Sequence, residues 1–155
     1  MKFIVCVKQV PDTSGKVAVK ADGTMDRSSM AAITNPDDRN AVEAALTLKD
    51  QHPEARVVVI SMGPPPAAGM LRELLAMGCD EAYLLSDRAF GGADTLATSY
   101  VLSKAAEKIG GFDLLIFGRH AVDGDTAQIG PELAEDLGVP HVTNVSEICL
   151  LYTSP

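Results

Sequence analysis

Three short apolar runs constrain this chain more than anything else in it: Phe3-Ile4-Val5-Cys6-Val7, Val57-Val58-Val59-Ile60 and Leu114-Leu115-Ile116-Phe117. Each is nearly continuous in apolar character rather than alternating. Strands buried on both faces read this way, and such strands belong to parallel sheets covered by helices. Helical spacing fills the intervals. Ala41, Val42, Ala45 and Leu48 form one stripe; Ala67, Met70, Leu71, Leu74 and Leu75 form a second. Val101, Leu102, Ala105, Ala106 and Ile109 form a third, and Ile129, Leu133, Ala134 and Leu137 a fourth. Further strands are expected at Glu81–Ser86 and at His141–Leu150. The order β-α-β-α-β-α-β-α-β predicts an α/β parallel-sheet three-layer sandwich with right-handed crossovers.

The first strand is expected to run from Lys2 to Val10 and to stop at Pro11-Asp12. Residues 13–34 are irregular. Lys16 to Lys20 alternates and Ala21-Asp22-Gly23-Thr24 supplies a turn, which predicts a small hairpin excursion over the ligand end of the sheet. The next helix opens on Asn35-Pro36-Asp37-Asp38, with Asn as N-cap, Pro in the first helical position and acids complementing the dipole. Capping alone accounts for these four. The rival reading has the same opening touch a nucleotide's ribose or adenine. Met62 follows a strand end and reads as a core residue or a ligand contact. Gly78 closes the second helix, and Asp94 before Thr95 is the cap of the third.

The most loaded stretch runs from Gly118 to Pro131, Gly-Arg-His-Ala-Val-Asp-Gly-Asp-Thr-Ala-Gln-Ile-Gly-Pro. It joins a strand to a helix, the place where such sheets bind phosphate-bearing ligands. Asp125 is expected to cap the helix and Gln128 to complete a capping box, an effect of about 1 kcal/mol. Capping explains Asp125, Thr126 and Gln128. It leaves Arg119, His120, Asp123 and Gly124 without a reason to crowd the same turn. Gly118 and Gly124 permit close approach of a ligand, and Arg119 offers a fixed positive fork suited to phosphate.

Other features exclude more than they propose. The 155 residues predict a single domain over residues 1–150, with 151–155 as a tail. A net charge of −8 argues against nucleic acid and against an anionic membrane surface. Cys6, Cys79 and Cys149 form neither a disulfide framework nor a zinc pattern, so a reducing cytoplasm is expected. No membrane-length apolar run or signal peptide is read at Met1-Lys2-Phe3. Neither a Gly-x-Gly-x-x-Gly after the first strand nor a P-loop is present. His52 is expected at the surface and His141 in a structural role, and no nucleophile elbow is visible. Only His120 lies where chemistry is expected, so a catalytic acid–base machine is not the reading.

Val5-Cys6-Val7-Lys8-Gln9-Val10-Pro11-Asp12, Asn35-Pro36-Asp37-Asp38-Arg39-Asn40-Ala41-Val42-Glu43, Leu75-Ala76-Met77-Gly78-Cys79-Asp80 and the Gly118–Pro131 stretch together carry a resemblance. The chain resembles the β subunit of an electron transfer flavoprotein (ETF), and the resemblance covers nearly its whole length. It implies a Rossmann-like fold of the adenine nucleotide alpha hydrolase kind and a site for AMP, or for a second FAD in electron-bifurcating members. The implied contacts are Cys6, Asn35, Pro36, Asp37, Asp38 and Met62, and the loop Gly118, Arg119, His120, Ala121, Val122, Asp123, Gly124, Asp125, Thr126, Ala127, Gln128 and Ile129.

Asp94 and Thr95, with Leu96-Ala97-Thr98-Ser99 after them, further resemble the bifurcating group and are implied as cofactor contacts as well. That implies FAD reduced by NADH, an α subunit as heterodimer partner, and electrons passed to an acyl-CoA dehydrogenase and to ferredoxin or flavodoxin. Family members are longer than this chain, which implies a C-terminal truncation. A universal-stress-type adenine-nucleotide regulator shares a related architecture and is the alternative of another class, although its Gly-rich phosphate loop is not evident.

Overall fold

The computed structural model describes residues 1–12 and 31–150. In chain order its elements are β1 (Lys2–Cys6), β2 (Gln9–Pro11), β3 (Ala32–Thr34), α1 (Pro36–Gln51), β4 (Arg56–Met62), α2 (Ala68–Met77), β5 (Glu81–Leu85), α3 (Thr95–Ile109), β6 (Leu114–Phe117) and α4 (Ile129–Leu137). β1, β4, β5 and β6 make one parallel sheet in the order β5-β4-β1-β6, with Val5 beside both Val59 and Ile116. The continuous apolar runs are explained by the two faces. Phe3, Val5, Val57 and Val59 pack under α1 and α2, while Ile4, Cys6, Val58 and Ile60 pack under α3 and α4. The result is the expected three-layer, Rossmann-like sandwich.

Local chemistry marks most boundaries. Pro36 opens α1 with Asp37 and Asp38 in its first turn. Gly78 ends α2 at φ 124°, a conformation that favours glycine. Asp94 caps α3 through its side chain, which accepts from the Ala97 N–H at 2.9 Å. Ser99 and Ser103 join Leu102 and Ala106 on the buried side of α3, their hydroxyls donating to the carbonyls of Leu96 and Tyr100. In α2, Met70, Leu71 and Leu74 of the expected stripe are buried, whereas Leu75, also expected there, is exposed.

Three expectations are corrected. The first strand does not continue to Val10: it stops at Cys6 and resumes as β2. The Lys8 N–H is taken by the Asp38 carboxylate at 2.7 Å and its carbonyl by the Asn35 N–H at 2.8 Å, so the sheet ladder loses both groups at that position. β2 pairs instead with β3, antiparallel, Val10 facing Ile33; the hairpin expected near Lys16–Thr24 lies outside the described residues. The fifth parallel strand is also not formed. Residues 141–150 carry no strand, Asn144 turns the chain at φ 55°, and Val142 and Val145 are exposed, while Ile148 and Leu150 pack against the cluster under α1. His141 is exposed rather than structural. Third, α4 begins at Ile129, three residues later than an Asp125 cap implies.

Candidate functional site

The chain builds the sheet outward from β1 to β4 and β5, then crosses back through α3 to place β6 on the other side of β1. Strand order therefore reverses between β1 and β6, and the crevice at their carboxyl ends is where sheets of this type hold ligands. β1 delivers Cys6 and Lys8 to that crevice, α1 delivers Asn35 to Asp38, and β6 delivers the loop from Gly118. The two segments singled out in the sequence do meet here.

They meet in an unexpected manner. Asn35 is fully buried and makes no side-chain cap for α1. Its carboxamide Nδ2 donates to the His120 carbonyl at 2.8 Å, and its Oδ1 accepts from the Val122 N–H at 3.1 Å. Asp38, also buried, accepts from the backbone N–H groups of Lys8 and Gly118, which belong to the ends of β1 and β6. Burial pushes its carboxyl up to about 6, against the lowering effect of hydrogen bonds from Asn35, Lys8 and Gly118. Gly118 has little room: a Cβ there would lie 2.6 Å from the Asp37 carbonyl carbon and from the Asp38 nitrogen. Its smallness serves the approach of α1 rather than that of a ligand.

The charged groups at the mouth are already paired. Lys8 Nζ sits 2.7 Å from Asp123 Oδ1. His120 lies between Asp37 Oδ2, 3.1 Å from Nδ1, and Asp125 Oδ1, 3.5 Å from Nε2. Arg119 Nε donates to His120 Nδ1 at 3.0 Å and stands 3.7 Å from Asp37 Oδ2. The Arg119 side chain remains 66% exposed, so its guanidinium can still turn toward an anion. Cys6 is buried, and burial, reinforced by the Asp38 charge, pushes its thiol up; it stays protonated and is no nucleophile.

Beyond His120 the loop opens. Val122, Asp123, Gly124, Asp125, Thr126, Ala127 and Gln128 are all exposed, and a Cβ on Gly124 would meet nothing within 4 Å. The Ala121 carbonyl accepts from the N–H groups of both Gly124 and Asp125. Asp125 and Ala127 then adopt left-handed backbones at φ 53° and 54°, which forbid a helix from starting there and undo the expected capping box. Gln128 is the N-cap residue and contributes no side-chain bond. The leading N–H groups of α4 at Ile129 and Gly130 are thus left uncapped by side chains, donors suited to an anion.

The remaining expected contacts, Met62, Asp94 and Thr95, are engaged with other parts of the protein. Met62 packs with the cluster under α3 and α4, the bland reading. Asp94 is spent on capping α3, and Thr95 Oγ1 donates to Glu132 Oε1 at 3.0 Å, joining the starts of α3 and α4. Lys8 and Glu132 are the polar residues that sequence reasoning left out of the site; Lys8 is the first polar residue past the first apolar run, which was the available signal. A cleft of about 420 Å³ lies beside the switch point, along β6 between α1 and Val145–Ile148, with Asp37 and Arg119 at one end.

Layers, strand order and the crevice at a reversal define a doubly wound Rossmann-like domain. The chain belongs to the electron transfer flavoprotein family, whose domain model matches residues 22–150. It is 59% identical over 145 residues to the acryloyl-CoA reductase electron transfer subunit gamma of Anaerotignum propionicum, an alignment covering 92% of this chain and 54% of the relative. It is 55% identical over 148 residues to the caffeyl-CoA reductase-Etf complex subunit CarD of Acetobacterium woodii, covering 96% of this chain and 56% of that one. The electron transfer flavoprotein subunit beta of Clostridium acetobutylicum gives the same identity and coverage. The chain spans about half the length of the curated relatives it matches. Family membership displaces the universal-stress alternative. Among the described residues no helix is long and apolar enough to cross a membrane.

Proposed function

We propose that this chain is the cofactor-holding portion of an ETF β subunit that carries FAD in the crevice between β1 and β6, working with an α subunit in the cytoplasm. The observation that carries this reading is the loop itself: fastened at its base by Asn35 and Asp38, yet exposed from Val122 to Gln128 and leading into a helix start without a side-chain cap. Such a loop has room for a ligand and donors for a diphosphate. Residues 118–129 are the contacts, with Asp37 and Lys8 at the rim. Asn35, Asp38 and Cys6, being buried, contribute from behind. FAD when bound supplies the hydride and one-electron chemistry.

Relatives named for acryloyl-CoA reductase and a caffeyl-CoA reductase–Etf complex support the bifurcating form. In that form NADH is the donor, and electrons pass to ferredoxin or flavodoxin and, through the α-subunit FAD, to an acyl-CoA dehydrogenase. Counting flavins in the purified heterodimer decides this. Two flavins per heterodimer are expected; one flavin with one AMP would give the β site to a structural nucleotide instead.

Arg119 is expected to help hold the diphosphate after leaving its partners His120 and Asp37. Because it gives up those contacts, the net gain is modest, and Arg119→Ala should weaken FAD binding roughly tenfold, about 1.4 kcal/mol. Titration of FAD into the variant heterodimer measures it, and an affinity equal to that of the parent would remove Arg119 from the site.

A further inference from the structure

We propose that Asn35 is a positioning residue, a two-point latch that fixes the backbone of His120 to Val122 so that the open part of the loop is pre-formed for its cofactor. Three observations meet on this side chain. It is fully buried, so it holds no ligand unless the protein opens. Both ends of its carboxamide are used, the donor on the His120 carbonyl at 2.8 Å and the acceptor on the Val122 N–H at 3.1 Å. Its own N–H donates to the Lys8 carbonyl at 2.8 Å, and its side chain also hydrogen-bonds Asp38, which binds the Lys8 and Gly118 N–H groups. One residue therefore ties the end of β1, the start of α1 and the loop after β6 into a single unit. An amide is suited to the task, because the loop presents a carbonyl and an N–H two residues apart and a carboxamide answers both from two atoms of one planar group. Aspartate matches the Val122 N–H alone and adds a charge beside Asp38, so it is no substitute.

The latch predicts that the Val122 amide is slow although the residue lies in an exposed loop. In the unaltered chain the Val122 N–H should exchange at least about tenfold more slowly than those of Thr126 and Ala127, and equal rates would overturn the latch. In Asn35→Ala the Val122 amide should lose that protection while Val5 and Val59 in the sheet keep theirs. If Asn35→Ala does not fold, the unaltered chain still decides by its own exchange pattern.

That the latch serves binding rests on the proposed function. AMP titrated into Asn35→Ala as part of the complete heterodimer should bind at least about tenfold more weakly. An unlatched Val122 with unchanged AMP affinity would overturn the positioning role. If the unaltered heterodimer binds neither AMP nor FAD at this site, the cofactor reading fails while the exchange result on Val122 still stands or falls by itself.

Discussion

Gly118→Ala should destabilise the protein by about 2–3 kcal/mol, seen as a lowered midpoint in chemical denaturation. The expected size follows from what the added methyl would strike. Its nearest neighbours include backbone atoms of α1, the Asp37 carbonyl carbon and the Asp38 nitrogen, each 2.6 Å away, together with the Asp38 carboxylate. A flexible side chain could step aside; the first turn of a helix packed on the sheet cannot. Either β6 retreats from α1 or the Asp38 carboxylate releases the Gly118 N–H, and both disturb the base of the loop. Gly124→Ala is the matched control. Nothing lies within 4 Å of its Cβ position and its φ is not left-handed, so stability should change by less than about 0.5 kcal/mol. Equal stabilities for the two variants would contradict the close approach of α1 to the end of β6.

Asp38 should impose a pH dependence of opposite sign to that of an ordinary paired carboxylate. Burial raises its folded value from 3.8 to about 6, so between those limits the native state binds more protons than the unfolded chain. Its contribution is therefore fully present below pH 3.8 and is lost as pH rises through about 6. At about 1.4 kcal/mol per pH unit over that interval, roughly 3 kcal/mol separates the two limits. Asp38→Asn removes the titration. The difference in unfolding free energy between parent and variant should shift by about 2 kcal/mol from pH 4 to pH 7, in the direction that disfavours the parent at neutral pH. Taking the difference cancels the other carboxylates. A pH-independent difference would show that Asp38 titrates normally.

Much of this architecture is readable from residues alone because its signals are local. Runs such as Val57–Ile60 can be buried on both faces only in a covered sheet, and the Asp94 cap depends on an N–H three residues away. The failures share a cause: a partner remote in sequence competes for the same group. The strand that begins at Lys2 breaks at Lys8 because Asp38, 30 residues on, takes an N–H that the ladder would have used. Asn35 stands in the N-cap position and its side chain works elsewhere, on His120, 85 residues away. Asp125 and Gln128 have the spacing of a capping box, yet the Ala121 carbonyl and two left-handed residues decide the turn. The site followed the same rule. Segments 35–38 and 118–129 were recognisable as belonging together, while the division between residues that hold the loop and residues left open depends on burial, which no local pattern encodes.

The clamps at the crevice have a consequence for the order of assembly. Lys8–Asp123, Asn35–His120 and Asn35–Val122 close chain segments of 115, 85 and 87 residues. Ordering so long a stretch is repaid only after β1, β4, β5 and β6 are side by side. The crevice should accordingly be completed late in folding, so that a molecule that fits it would report finished chains.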